Sequence, residues 1–145
     1  MVDDERITQR IGTIQSNLRE LGVLASIPQK EFLLDTQRIA SAKYFLQTSV
    51  EAMIDIGNHI IARLRLGTPE SNFHTFELLA RNNIINKESL PTYQQMVKFR
   101  NLVVHLYHIV DNEEIYRIIH NDLKDFELFI KEILSSRKKE WRKQP

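Results

Sequence analysis

The chain has 145 residues, no cysteine and a formal net charge of +1. The absence of cysteine excludes thiol nucleophiles, disulfides and cysteine-ligated zinc. The small net charge gives no general attraction to nucleic acid. Four Gly, four Pro and many strong helix formers predict an all-α fold in one domain over residues 1–145. No apolar run approaches the roughly 20 residues of a membrane span, and the acidic start does not resemble a signal peptide, so we expect a cytoplasmic protein without a membrane partner.

Two helices are predicted in the first half of the chain. From residue 3 to about residue 25, Ile and Leu recur at alternating steps of three and four, which is typical of an amphipathic helix. Pro28 predicts a break, and residues 29–66 then predict one long helix whose apolar stripe continues for about five turns. Beside that stripe, four polar residues recur at every fourth position: Glu51, Asp55, His59 and Arg63. This line is most simply a solvated face, but a role in lining a cleft stays open for Asp55 and His59.

Capping residues predict three further helices. Ser71, or the Asn after it, is suited to cap a short helix that reaches about residue 81, and Ser89 is suited to cap a fourth helix. An Asp–Asn pair at 111–112 predicts the cap of a fifth helix, which ends in a basic tail at about 137–145. That tail either complements the helix dipole or adds contacts to phosphate. The expected architecture is an antiparallel bundle of about five helices.

The fourth predicted helix carries the residues that are most informative about function. Its apolar run is interrupted in the pattern Arg100-x4-His105-x-Tyr107, with Asn101 directly after the arginine. At about 100° per residue, Arg100 and His105 are about 140° apart around a straight helix and do not share a face. A long arginine side chain, a nearby helix end or a second copy of the chain would be needed to bring them together.

The pattern Arg-x4-His-x-Tyr resembles the signature of the HEPN superfamily, and specifically of its HepT-like branch of ribonuclease toxins. The segment 51–61 also looks like the long second helix of those proteins, and its place upstream of the motif agrees. The resemblance implies an all-α homodimer whose two motifs face each other across a cleft, and metal-independent RNA cleavage. It also implies a type VII-like toxin–antitoxin pair, in which a nucleotidyltransferase antitoxin neutralises the toxin by adding adenylate groups to the motif tyrosine, here Tyr107.

Cleavage of RNA suits the residue types of this motif. RNA carries its own nucleophile, the 2′-hydroxyl, so an enzyme needs to move protons and to stabilise charge on the phosphate. We expect His105 to act as base or acid and Arg100 to bind phosphate oxygens, with Asn101 orienting one of these groups. This scheme requires no metal site and no cofactor, and its products would be a 2′,3′-cyclic phosphate and a 5′-hydroxyl.

Each of these residues also has a purely structural interpretation. Arg100 taken alone would more often be a half-buried arginine paired with Asp55 or Glu51. His105 would more often be a hydrogen-bonded histidine within the bundle, and Tyr107 a core or interface aromatic. The corresponding alternative function is a catalytically silent helical dimer that binds RNA, nucleotide or a partner protein.

The fourth helix itself also favours a homodimer. Val97, Val104 and Tyr107 lie on one broad side of this helix, and Tyr107, two residues past His105, is expected at the rim of the cleft. Other apolar residues of this helix lie off that side: Phe99, Leu102 and Leu106. Exposed apolar patches commonly mark interfaces, so we expect a two-fold homodimer.

Overall fold

In the computed structural model, residues 4–139 are described, and all of their regular secondary structure is helical. The α-helices are α1 (Asp4–Ala25), α2 (Gln29–Leu33), α3 (Thr36–Leu64), α4 (Asn72–Arg81), α5 (Leu90–His105), α6 (Asn112–Asn121) and α7 (Lys124–Lys139), and two 3₁₀ helices span Lys87–Ser89 and Tyr107–Ile109. Within the described chain, no helix combines the length and the apolar character that crossing a membrane requires. The prediction of an all-α fold is confirmed, but the expected five helices are seven because two of them are interrupted.

The first interruption divides the helix predicted over residues 29–66. The Asp35 side chain accepts hydrogen bonds from the backbone N–H groups of Gln37 and Arg38 at 3.0 and 3.2 Å, and this N-cap starts α3. The preceding short helix α2 is anchored by the buried ring of Phe32. Aspartate forms such a cap without a nearby Gly or Pro, so the apolar pattern carried no sign of the break.

The second interruption divides the last predicted helix at Asp122. The N–H of Asp122 bonds to the Ile118 carbonyl at 2.8 Å and ends α6, and the Asp122 carbonyl accepts the N–H of Asp125 at 3.1 Å as α7 begins. The basic tail predicted at about 137–145 therefore starts inside α7, and its part from residue 140 onward lies outside the described residues.

Of three predicted caps, two are confirmed and one is wrong. The side chains of Ser71 and Asp111 accept backbone N–H groups at 3.0 and 2.9 Å. Ser89 does not cap α5, because its hydroxyl donates to the buried carboxylate of Glu132 at 2.7 Å. Tyr93 Oη also donates to Glu132, at 3.0 Å, and burial together with this carboxylate raises the pKa of Tyr93. Buried carboxylates need such donors, so Glu132 joins α7 to α5.

Helix α3 is the centre of the bundle and packs against α1, α2, α4, α5 and α6. It is antiparallel to α1, because Asp55 late in α3 pairs with Arg10 early in α1, whereas Thr48 pairs with Asn17 further along α1, at 2.9 Å. Buried apolar side chains of these helices form one continuous core. The central position of α3 places its polar residues beside the start of α1 and the second half of α5, which carries Arg100.

Candidate active site

Arg100 lies against α3, where its guanidinium is held by Glu51. Nε and Nη2 of Arg100 donate to the same carboxylate oxygen of Glu51, Oε2, at 3.1 and 2.8 Å. The two side chains are 22% and 35% exposed, so water partly screens the ion pair. The structural interpretation of Arg100, an ion pair with a carboxylate of the long helix, is therefore realised with Glu51.

Asn101 holds the guanidinium from a different nitrogen. Arg100 Nη1 donates to Asn101 Oδ1 at 3.1 Å. An arginine has five N–H groups, and the contacts made within the described chain use one each on Nε, Nη1 and Nη2. One N–H is left on each terminal nitrogen, and arginine binds phosphate oxygens through such N–H groups. Glu51 and Asn101 thus orient Arg100 without consuming its capacity to bind an anion.

A polar cleft of about 540 Å³ opens beside this guanidinium. Charged residues from three helices line it: Arg10, Glu51, Asp55 and Arg100. Neutral polar side chains complete much of the wall: Thr13, Thr48, Asn58 and Asn72. The volume is in the range of small-molecule sites in proteins, so a nucleotide unit of RNA is of a suitable size for it.

Asp55 is paired across the cleft wall with two arginines of α1. Arg6 Nη2 lies 3.2 Å from each carboxylate oxygen of Asp55, and Arg10 Nε hydrogen-bonds to Oδ2. Partial burial raises the pKa of Asp55, but the two arginines outweigh it and hold that pKa below its usual range. The polar line of α3 was interpreted most simply as a solvated face. Two of its residues instead form ion pairs between helices, Glu51 with α5 and Asp55 with α1. His59, half-buried one turn later, is not among the side chains that line this cleft.

His105 is the last residue of α5, and its side chain is exposed. The helix ends there because the Leu106 N–H closes the last turn on the Leu102 carbonyl at 2.8 Å and Leu106 then leaves helical geometry, with φ −134°. Within residues 4–139 no hydrogen bond joins His105 to Arg100, in agreement with their angular separation. In the same part of the chain, no three or more His, Asp or Glu side chains are grouped so as to hold a metal ion.

Tyr107 follows the end of α5, in the 3₁₀ turn Tyr107–Ile109, and is 46% exposed. The structural interpretation of Tyr107 as a core aromatic is not realised, because α5 ends at His105 and Tyr107 lies beyond it. Val104, predicted on one face with the buried Val97, is exposed. Lys43 of α3 contacts Tyr107 twice: its Nζ lies 3.4 Å from the carbonyl oxygen and, over the ring face, 4.0 Å from the ring centroid. The motif tyrosine is thus at the surface, and the buried Lys43 contacts one face of its ring.

Three basic residues near the motif were not predicted from the sequence. Lys43 lies between Ile39 and Leu46 on the apolar stripe of α3, where a charged residue is unusual. Arg6 and Arg10 are four residues apart on α1, beside its isoleucine stripe, and so point to one neighbour. In each case, a basic residue on or beside a predicted apolar stripe is the sequence feature that could have identified it.

Exposed apolar side chains surround the end of α5. Leu102, Val104, Leu106 and Ile109 are 39, 38, 42 and 62% exposed. The prediction that Leu102 and Leu106 lie off the core-facing side is confirmed, whereas Phe99 is half-buried against the core. An apolar surface therefore borders both His105 and Tyr107.

Comparison with known proteins gives similar sequences and a similar fold. A family model described as Ribonuclease HepT-like matches residues 10–133. The mRNA nuclease HepT of Shewanella oneidensis is 40% identical over 85 residues, which span 59% of this chain but only 64% of that protein. The tRNA nuclease HepT of Aphanizomenon flos-aquae is 26% identical over 129 residues, 89% of this chain and 88% of that protein. A solved structure of a tri-AMPylated Shewanella oneidensis HEPN toxin in complex with MNT antitoxin is similar with a TM-score of 0.84 and 32% identity, over 93% of this chain and 99% of that chain.

Proposed function

This chain belongs to the HepT-like ribonuclease family, and on that premise we propose that it is a ribonuclease toxin that cleaves RNA without a metal ion, with Arg100 and His105 as its catalytic residues. The observation that carries the proposal is the guanidinium of Arg100, which is fixed by Glu51 and Asn101 and still has an N–H on each terminal nitrogen beside a polar cleft. A phosphate group is the ligand that such a pair of donors fits best in an RNA substrate.

In the proposed reaction, the 2′-oxygen of RNA attacks the adjacent phosphorus, and the bond from phosphorus to the 5′-oxygen breaks. One imidazole of His105 takes the proton of the 2′-hydroxyl, and an imidazolium of His105 gives a proton to the leaving 5′-oxygen. Arg100 stabilises the negative charge that accumulates on the non-bridging oxygens. The products are a 2′,3′-cyclic phosphate and a 5′-hydroxyl.

These two proton transfers are assigned to two copies of the chain. Each chain has one motif histidine, which is exposed at a helix end and does not bond to its own Arg100. The exposed side chains of Leu102, Leu106 and Ile109 beside it offer an apolar surface for a two-fold contact. A homodimer joined there would bring two copies of the motif to one shared cleft.

Tyr107 is the proposed point of control by a nucleotidyltransferase antitoxin. Support comes from the similar Shewanella oneidensis toxin, which is AMPylated and in complex with an MNT antitoxin, and from the exposure of Tyr107 two residues after His105. Each adenylate group adds bulk and negative charge where the RNA phosphate must bind. Repulsion between like charges and steric blocking then both oppose substrate binding.

The proposed substrate is RNA as a class. The two relatives are named for different RNAs, one an mRNA nuclease and the other a tRNA nuclease. The proposed site of action is the cytoplasm, where RNA substrates and the ATP needed for adenylylation are both present.

Purified chain incubated with total RNA tests the proposal. Arg100→Ala and His105→Ala should each lower the cleavage rate by about 10²-fold or more and abolish growth inhibition, with helicity and dimerisation retained. Matched controls are Arg117→Ala, an exposed arginine paired with Glu114 at 2.6 Å, and the exposed His120→Ala on α6, which should cleave like the wild type.

Each outcome of this experiment has a definite meaning. Near-normal cleavage by either motif variant would remove that residue from the catalytic assignment. A wild-type chain that binds RNA without cutting it would replace the proposal with the silent helical dimer.

A further inference from the structure

Lys43 is a buried lysine whose contacts point to a single residue. Its side chain, on the apolar stripe of α3, is only 4% exposed. Its Nζ donates to the carbonyl oxygen of Tyr107 at 3.4 Å and lies over the Tyr107 ring, 4.0 Å from the centroid. Nothing in the proposed cleavage of RNA uses this ammonium group.

Packing alone does not account for a lysine at this position. Burial lowers the pKa of Lys43 because the charged form loses hydration, and among residues 4–139 no carboxylate forms an ion pair with it. A methionine of similar length would fill the stripe without burying a charge. The interactions that offset this burial are a hydrogen bond and a cation–π contact, both with Tyr107.

Tyr107 in turn has little else to fix it. It follows the end of α5 in a three-residue 3₁₀ turn and is 46% exposed. The ammonium group of Lys43 contacts the backbone of this turn at the Tyr107 carbonyl and also contacts one face of the Tyr107 ring. Neither contact involves the ring edge that carries the hydroxyl.

We propose that Lys43 is the positioning residue that presents Tyr107 as the acceptor of the adenylyl group, an inference that rests on the proposed control by a nucleotidyltransferase. In that step, Tyr107 Oη attacks the α-phosphorus of ATP, an Oη–P bond forms, the bond from that phosphorus to the bridging oxygen breaks, and pyrophosphate leaves. The phenolic proton passes to a base of the nucleotidyltransferase or to solvent. The positive charge of Lys43, at the ring face, is close enough to favour the negative charge that develops on the phenolic oxygen.

The test compares initial rates of adenylylation by the cognate nucleotidyltransferase with ATP, measured by mass spectrometry over a range of toxin concentrations. Lys43→Met should lower kcat/KM for modification by roughly tenfold, since it removes both a charged hydrogen bond and a cation–π contact. Lys43→Arg should restore most of the rate, and Lys43→Gln, which keeps a donor but no charge, should fall between. Lys131→Met, at an exposed lysine on α7, is the matched control, and Tyr107→Phe should take up no adenylate.

A second measurement follows the ring itself. The chain has four tyrosines, and ring-labelled samples identify the Tyr107 NMR signals by their loss in Tyr107→Phe. These signals should move in Lys43→Met and Lys43→Gln and stay in place in Lys131→Met. The inference is overturned, with the proposed function intact, if wild type and Lys43→Met are modified at Tyr107 at equal rates or share the same ring signals. A wild type modified at a residue other than Tyr107, or not at all by an active nucleotidyltransferase, overturns the inference and the proposed control together.

Discussion

The contacts of the motif arginine are compatible with both of the interpretations that the sequence presented as alternatives. Arg100 is half-buried and paired with Glu51, as the structural interpretation requires, yet it keeps an N–H on each terminal nitrogen. The sequence offered this ion pair as a structural alternative, with Asp55 or Glu51 as the partner, and the structure shows Glu51. That the pair leaves donors for phosphate depends on which nitrogen bonds to Glu51 and which to Asn101, and only three-dimensional geometry determines this.

Glu51→Gln tests whether the ion pair positions Arg100 for catalysis. The amide keeps one acceptor oxygen but no charge, so Arg100 is held less firmly, and we expect the cleavage rate to fall about tenfold. The free energy of unfolding should fall by about 1 kcal/mol or less, because the pair is partly exposed. Glu114→Gln, which alters the exposed pair with Arg117, should leave cleavage unchanged. Equal cleavage by Glu51→Gln and the wild type would show that Arg100 does not need Glu51.

Lys43 gives a pH dependence of stability with a definite sign. Its pKa in the folded chain is lowered by burial from 10.5, so between the folded pKa and 10.5 the unfolded chain binds more protons. Stability must therefore rise with pH in that window. We expect the unfolding free energy of the wild type, measured in urea, to rise relative to Lys43→Met as the pH approaches 10.5. If the unfolding free energy of the wild type stayed constant or fell relative to that of Lys43→Met as the pH rises, the inferred burial of a charged Lys43 would be contradicted.

Among the helices, the apolar repeats predicted the order of the elements better than their ends. Asp35 and Asp122 each interrupt a predicted helix without Gly or Pro. The end of α5 at His105 has the greatest effect on the site, since it places Tyr107 outside the helix and at the surface. A repeat of apolar residues cannot locate this end, because the end lies at a change of backbone conformation at Leu106 that no Gly or Pro marks.

The packing of α4 on α3 depends on a glycine. A Cβ at Gly57 would lie 2.9 Å from Thr75 Cγ2 and 3.0 Å from Leu79 Cδ1, and the Thr75 hydroxyl is itself fixed by a 2.8 Å bond to Asn58. We expect Gly57→Ala to lower the free energy of unfolding by about 1–2 kcal/mol, because overpacking exceeds the gain in helix propensity. Gly12→Ala, at a helical position with nothing within 4 Å, should raise it by up to about 1 kcal/mol. A stabilised Gly57→Ala in the same urea titrations would show that α4 can move aside.

At the scale of the whole molecule, the two candidate catalytic residues, Arg100 and His105, do not contact each other through a hydrogen bond within one chain. Arg100 lines a cleft to which α1, α3 and α5 contribute charged side chains, whereas His105 is exposed at the helix end among exposed apolar side chains. The angular separation on a helix predicted this arrangement from the sequence, together with the need for a helix end or a second copy. The surface that a second copy would cover could not be predicted in full, because the exposed Val104 was predicted on one face with the buried Val97.

Mixed dimers test whether the site is shared between two chains. Wild-type and His105→Ala chains that carry different tags can be mixed, and the heterodimer isolated by two affinity steps. Because the two proton transfers are assigned to the His105 of each copy, a heterodimer with one intact His105 should cleave no faster than the His105→Ala homodimer. About half of the wild-type activity in the heterodimer would instead place a complete site within each chain.

The chemistry of the cut RNA ends tests the central claim most directly. Wild-type chain and His105→Ala are incubated with one defined RNA in the presence of EDTA, and the fragment ends are identified by mass spectrometry. Proton transfer by His105 and charge stabilisation by Arg100 predict fragments with 2′,3′-cyclic phosphate and 5′-hydroxyl ends from the wild type and none from His105→Ala. Intact RNA from the wild type, or fragments with 5′-phosphate and 3′-hydroxyl ends, would contradict the account.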